Sequence, residues 1–176
     1  MIRTPALLAL LLLAAPVTAQ AADCLTEAEA RSVVAYALPA AVEAAAARCR
    51  PVLPSGAWLN RGAAGMAQRY RREGGGNAAA ALPVLEKFSG QSMPDFLDPE
   101  TASTMVQGLI ADRVGAAVPT RDCAAISRIA EQISPLPIGN VTSLLVALVQ
   151  LDRGATSRTG IRLCPAPAAG VRSNDR

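Results

Sequence analysis

The densest chemistry in the chain is Arg69-Tyr70-Arg71-Arg72, with Arg61 two turns earlier. Guanidinium forks grip phosphate or carboxylate bidentately, so Arg61, Arg69, Arg71 and Arg72 form the candidate anion-binding set. The matching ligand would be an anionic envelope component: a lipid head group, a lipopolysaccharide phosphate or a wall polymer. The plainer account is a solvated helix end, where cations complement the dipole. Gly74-Gly75-Gly76 follows without a preceding strand, a lysine or a hydroxyl residue at the phosphate-loop offset, so it reads as a hinge. Carboxylates that cleave a glycoside must face each other across a cleft. Glu27 with Glu29, and Asp95 with Asp98, are close only in sequence, and helix capping accounts for them. Lys87, the sole lysine, lies near Ser89 without the S-x-x-K context of a serine–lysine dyad. Met66, Met93 and Met105 suit core filling better than copper binding.

The composition closes further routes. Histidine is absent from the 176 residues. Histidine acid/base catalysis, Ser–His and Cys–His arrangements and the usual zinc and copper sites therefore drop out. Five aromatics are too few for a stacking platform. A formal charge of +3 is small for a nucleic-acid binder. No cofactor and no nucleic-acid partner are expected.

Cys24, Cys49, Cys123 and Cys164 are separated by 25, 74 and 41 residues. Such spacing lacks the close pairs of a metal site, and no His or Lys neighbour activates a thiol. Four cysteines in an exported chain predict two disulfides. The export signal is read over residues 1–22. Arg3 supplies the positive region, 6–15 the apolar region, and Ala19, Ala21 and Ala22 the small residues for cleavage. No later segment reads as a membrane span; the best, 141–151, reaches only about 16 Å as a helix. The Ala- and Arg-rich, Lys-poor usage points to the periplasm ahead of full secretion.

The elements that must position these residues are helical, because no stretch alternates with period two. Thr26-Glu27-Ala28-Glu29 is a capping box opening a helix to about 38, where Pro39 breaks or kinks it. A second, alanine-built helix follows to 48. Ser55 is placed to cap a helix over 57–73 carrying Trp58, Met66 and Tyr70. Gly62 and Gly65 weaken that helix by about 1 kcal/mol each and leave room for another helix to approach. Residues 78–88 are helical again, with Pro83 a possible interruption. Asp98-Pro99-Glu100 starts a helix closed by Pro119. Thr120 caps a helix over 121–133, and Asn140 one over 141–151. The last is apolar nearly all round and is expected at the centre. Residues 152–159 read as a polar loop, 161–163 as a short extended run, and 166–176 as a disordered tail.

The last two helices are expected to form an antiparallel hairpin around Ser134-Pro135-Leu136-Pro137, bringing Cys123 near Cys164. Cys24 would then pair with Cys49, provided the chain folds back at Pro39. As one continuous helix, 25 residues would separate those two by about 37 Å, against the 7 Å that a disulfide permits. The next pairing is Cys24 with Cys164 and Cys49 with Cys123.

Asp23-Cys24-Leu25-Thr26, Ala37-Leu38-Pro39 and Cys49-Arg50-Pro51-Val52-Leu53-Pro54 give the chain a further likeness. With Cys123, Pro135-Leu136-Pro137, Asn140 and Ile161-Arg162-Leu163-Cys164-Pro165, the sequence resembles a group of exported alphaproteobacterial helical proteins with four cysteines, a family of unknown function. The resemblance implies export, helices and paired cysteines, and carries over no catalytic residue. The expectation is one all-α domain over 23–165, a bundle of six to seven short helices stapled by two disulfides. Its expected role is a non-catalytic binding or interaction module of the cell envelope. The alternative is an envelope enzyme using carboxylate and arginine chemistry without histidine or metal.

Overall fold

The computed structural model describes residues 24–151, apart from 91, 93, 95 and 97, together with 163 and 164. The export signal, Met93, Asp95, the 152–159 loop and the 166–176 tail lie outside the described residues. Six α-helices follow in order: α1 (Glu27–Cys49), α2 (Trp58–Arg72), α3 (Ala78–Ser89), α4 (Pro99–Ala117), α5 (Cys123–Ile133) and α6 (Ile138–Leu151). A short 3₁₀ turn, Thr120–Asp122, leads into α5. The domain is all-α with two disulfides, as the sequence predicts.

The predicted capping box opens α1. Thr26 Oγ1 accepts from the Glu29 amide at 3.2 Å, and the Glu29 carboxylate accepts from the Thr26 amide at 2.8 Å. The expected break at Pro39 does not occur; α1 runs unbroken for 23 residues. Proline forfeits one ladder bond, but its ring is fully buried, and packing offsets that loss. At this length α1 alone among the described helices could cross a membrane by length and composition. Here α2, α3, α4 and α6 all pack against it. Its buried positions, from Ala30 through Tyr36 and Ala40 to Cys49, occur on several faces. Small side chains all round let α1 take the centre. Tyr36 ties it to α4, its hydroxyl donating to the Ser103 carbonyl at 2.9 Å.

The apolar α6 does not take the centre that its sequence predicts. α6 lies to one side, packed on α1 with Val141 and Val146 buried, while Leu144, Leu148 and Leu151 remain exposed. The expected α5–α6 hairpin is also absent as a packing unit. α5 packs chiefly on α2, and α6 on α1.

These two facts overturn the first disulfide pairing. Cys24 and Cys49 stand at opposite ends of continuous α1, and α5 and α6 diverge to different neighbours. The observed bonds are Cys24–Cys164 and Cys49–Cys123, with Cα separations of 5.0 and 5.4 Å. Cys49 closes α1 just where Cys123 opens α5. Cys164 is brought to Cys24 by a parallel bridge between Leu25 and Leu163.

Candidate functional site

α2 projects the arginines in three directions. At about 100° per residue, Arg61 and Arg72 lie within about 20° of each other, while Arg69 and Arg71 swing about 80° to opposite sides. The structure therefore does not bring the four together. Arg71 reaches back to α1 and grips Glu43, one nitrogen donating at 2.9 Å and the second to the other carboxylate oxygen. That pairing raises the Arg71 pKa further above its ordinary value. Arg61 and Arg72 are exposed and form no ion pair among the described residues. Eleven residues put them about 16 Å apart along the helix.

Arg69 serves the turn between α5 and α6. Its guanidinium donates to the Ser134 carbonyl at the end of α5 and lies 5.2 Å over the Tyr70 ring. Its Nε also stands 3.4 Å from Glu73 Oε1. The other Glu73 oxygen accepts from the Ile138 amide at 2.7 Å, at the start of α6. One cation thus meets the negative end of α5, and one anion the positive end of α6, each in the sense the helix dipoles favour. Tyr70 is fully buried beside them, and burial raises its pKa; its hydroxyl donates to the Ile133 carbonyl at 3.4 Å. This clamp explains why α6 begins at Ile138 rather than at an Asn140 cap. The cap comes from Glu73, just past the end of α2 and 65 residues away.

α2 receives similar long-range help. The expected Ser55 cap is not made; α2 starts after Ala57 with no side-chain cap. Instead the buried Ser127 Oγ of α5 accepts from the Leu59 amide at 3.2 Å. Gly62 does not admit a second helix. A methyl there would meet the Trp58 indole at 2.5 Å, so the indole lies over Gly62. Gly65 faces open space.

The candidate acids are engaged in building helices. Glu29 caps α1 and binds Lys87 of α3 at 2.8 Å; chiefly through the lysine, its pKa falls from 4.5 to about 2. Asp98 accepts from the Glu100 and Thr101 amides at the start of α4, which lowers its pKa, the Thr101 side chain contributing most. Glu27 pairs with Arg31 on the outside of α1. Between α1 and α4 runs an open groove of about 460 Å³, lined mainly by alanine, with Arg48 and Asp112 as its charged residues. Among the described residues, no three acids or cysteines converge as a metal site.

The feature that sequence reasoning missed is the outer face of α6. The helix carries no Asp, Glu, Lys or Arg in fourteen residues. Leu144, Leu148 and Leu151 form one row at spacings of four and three, exposed by 46, 52 and 81%. Its signal in the sequence is apolarity all round, which reads as burial on every side, whereas α6 packs chiefly on α1. All four cysteines are oxidised, the covalent chemistry of an oxidising, non-cytoplasmic compartment. No family model, no curated protein and no solved structure matches the chain.

Proposed function

We propose that this protein is an exported, periplasmic interaction module that acts by contact, docking the outer face of α6 into an apolar groove of an envelope protein. The row Leu144–Leu148–Leu151 on an uncharged helix carries the reading. Residues at i, i+4 and i+7 are the anchors a helix offers to a groove. The absence of charge on the helix selects an apolar lining. A second copy fits less well. The face is about 21 Å long and about 10 Å wide, so a symmetric pair buries about 400 Å², well under the roughly 1,200 Å² of a stable interface. A groove wraps the helix and buries more.

The test is retention of wild type and Leu148→Glu on isolated envelope fractions from the native host, before and after protease treatment. The expected result is retention of wild type at high salt, release of Leu148→Glu, and loss of retention after proteolysis. Equal retention of both proteins overturns the reading. Retention that survives proteolysis shows a lipid target and overturns it too. Concentration-dependent dimerisation, lost in Leu148→Glu, would assign the face to a second copy instead.

A second reading rests on Arg61 and Arg72, which share one face and have no ion pair among the described residues. In it, this pair contacts an anionic lipid head group, lipopolysaccharide phosphate or wall polymer. Arg61→Gln with Arg72→Gln would then abolish salt-sensitive co-sedimentation with anionic liposomes. Arg69 and Arg71 are unsuitable probes, because their loss also removes the turn clamp and the Glu43 pair.

A further inference from the structure

The two disulfides differ in setting. Cys49 and Cys123 are 0 and 1% exposed and sit inside one core cluster with Ala46, Leu59 and Ala63. Cys24 and Cys164 are only partly buried, outside the helices. One bridge joins Leu25 to Leu163, with the Cys164 amide donating to the Leu25 carbonyl at 2.8 Å. Leu25 and Leu163 close an apolar cavity of about 50 Å³ whose other walls are Ala30, Val33 and Val34 of α1 and Val146 and Val149 of α6. No polar group lines it, so water gains nothing by entering.

We propose that Cys24–Cys164 is a redox-addressed latch: a dithiol reductant opens it while Cys49–Cys123 stays closed, and opening unseals the apolar seam between α1 and α6. The chemistry is thiol–disulfide exchange. A reductant thiolate attacks one sulfur of the pair and forms a mixed disulfide. The reductant's second thiol then displaces that cysteine. Two electrons pass to the pair, the reductant leaves as its own disulfide, and both cysteines end as thiols. Attack needs a straight approach to a sulfur, which the partly exposed pair offers and the core pair denies. Leu25 directly follows Cys24 and Leu163 directly precedes Cys164, so breaking the covalent tie frees both walls of the seam to part. The inference does not depend on what docks on α6.

The experiment is graded reduction of the full chain with dithiothreitol, quenched by iodoacetamide and read by intact mass and peptide mapping. The expected intermediate carries two labels, at Cys24 and Cys164, before Cys49 or Cys123 is labelled. It keeps its helical circular dichroism, binds an apolar dye at least threefold more strongly, and loses amide-exchange protection over 141–151. First labelling of Cys49 and Cys123, or simultaneous labelling of all four, overturns the proposal. So does an intermediate with unchanged dye binding and exchange. Cys24→Ser with Cys164→Ser should reproduce the intermediate without reductant. A loss of helical signal in that variant also overturns the proposal, because the bond would then hold the whole fold rather than one seam.

Discussion

Two glycines in and just after α2 should respond to alanine in opposite directions. At Gly75 an added methyl would stand 2.6 Å from the Tyr70 carbonyl oxygen, 2.9 Å from Ile138 Cδ1 and 3.0 Å from Pro39 Cγ. The nearest of these is backbone and cannot swing aside. The Gly75 amide also donates to that same carbonyl at 2.8 Å, so relief of the clash stretches a hydrogen bond. Overpacking costs about 1–3 kcal/mol and the weakened bond about 1 more, so Gly75→Ala should lose about 2–4 kcal/mol. At Gly65 a methyl meets nothing within 4 Å, inside a regular helix. Gly65→Ala should therefore gain about 0.5–1 kcal/mol from restricted unfolded-state freedom. Urea unfolding of the oxidised proteins, followed by circular dichroism, measures both. The expected midpoints move to opposite sides of wild type with unchanged slope. A Gly75→Ala variant within about 0.5 kcal/mol of wild type would refute the close packing of α1, α2 and α6 at this point.

Removing the anion of the turn clamp, Glu73→Ala, should cost about 1–2 kcal/mol, since the Ile138 cap and the Arg69 pair go together. Glu73→Gln, which can still accept from the Ile138 amide, should recover at least half in the same urea assay. Glu29 gives stability that is complete above its ordinary pKa of 4.5 and is lost as pH falls through about 2. Unfolding midpoints measured from pH 6 to 2 should show that loss in wild type and a smaller one in Lys87→Met. Ser127→Ala should cost about 1–3 kcal/mol by stranding the Leu59 amide in a buried site, with Ser127→Cys milder, both read by thermal unfolding.

The local rules of helix formation were legible in the sequence wherever the partner lay within a few residues. Thr26 with Glu29, Asp98 with Pro99, and the all-α class follow from short-range bonds that the sequence states directly. What escaped involved partners far along the chain. Pro39 reads as a break because it lacks an amide, yet α1, with four helices packed round it, continues through it. That single difference turned the disulfide pairing, since a continuous α1 parts Cys24 from Cys49. The same applies to caps: Glu73 and Ser127 replace Asn140 and Ser55 from 65 and 68 residues away. The arginine cluster was visible, but helix geometry scatters it, and Glu43 and Ser134 take two of its members. Apolarity all round α6 revealed that the helix was unusual. It did not reveal that α1 covers only one side.

The reading of α6 as a docking helix is tested most directly by placing a photo-crosslinking residue, in separate variants, at Leu144, Leu148, Leu151 and the exposed control Ile129, and irradiating the native host envelope. The account predicts one protein adduct shared by the three α6 positions and absent at Ile129, with the crosslinked peptides mapping to apolar groove-lining segments of that partner. Adducts equally strong at Ile129, adducts to lipid, or none at the α6 positions would contradict it.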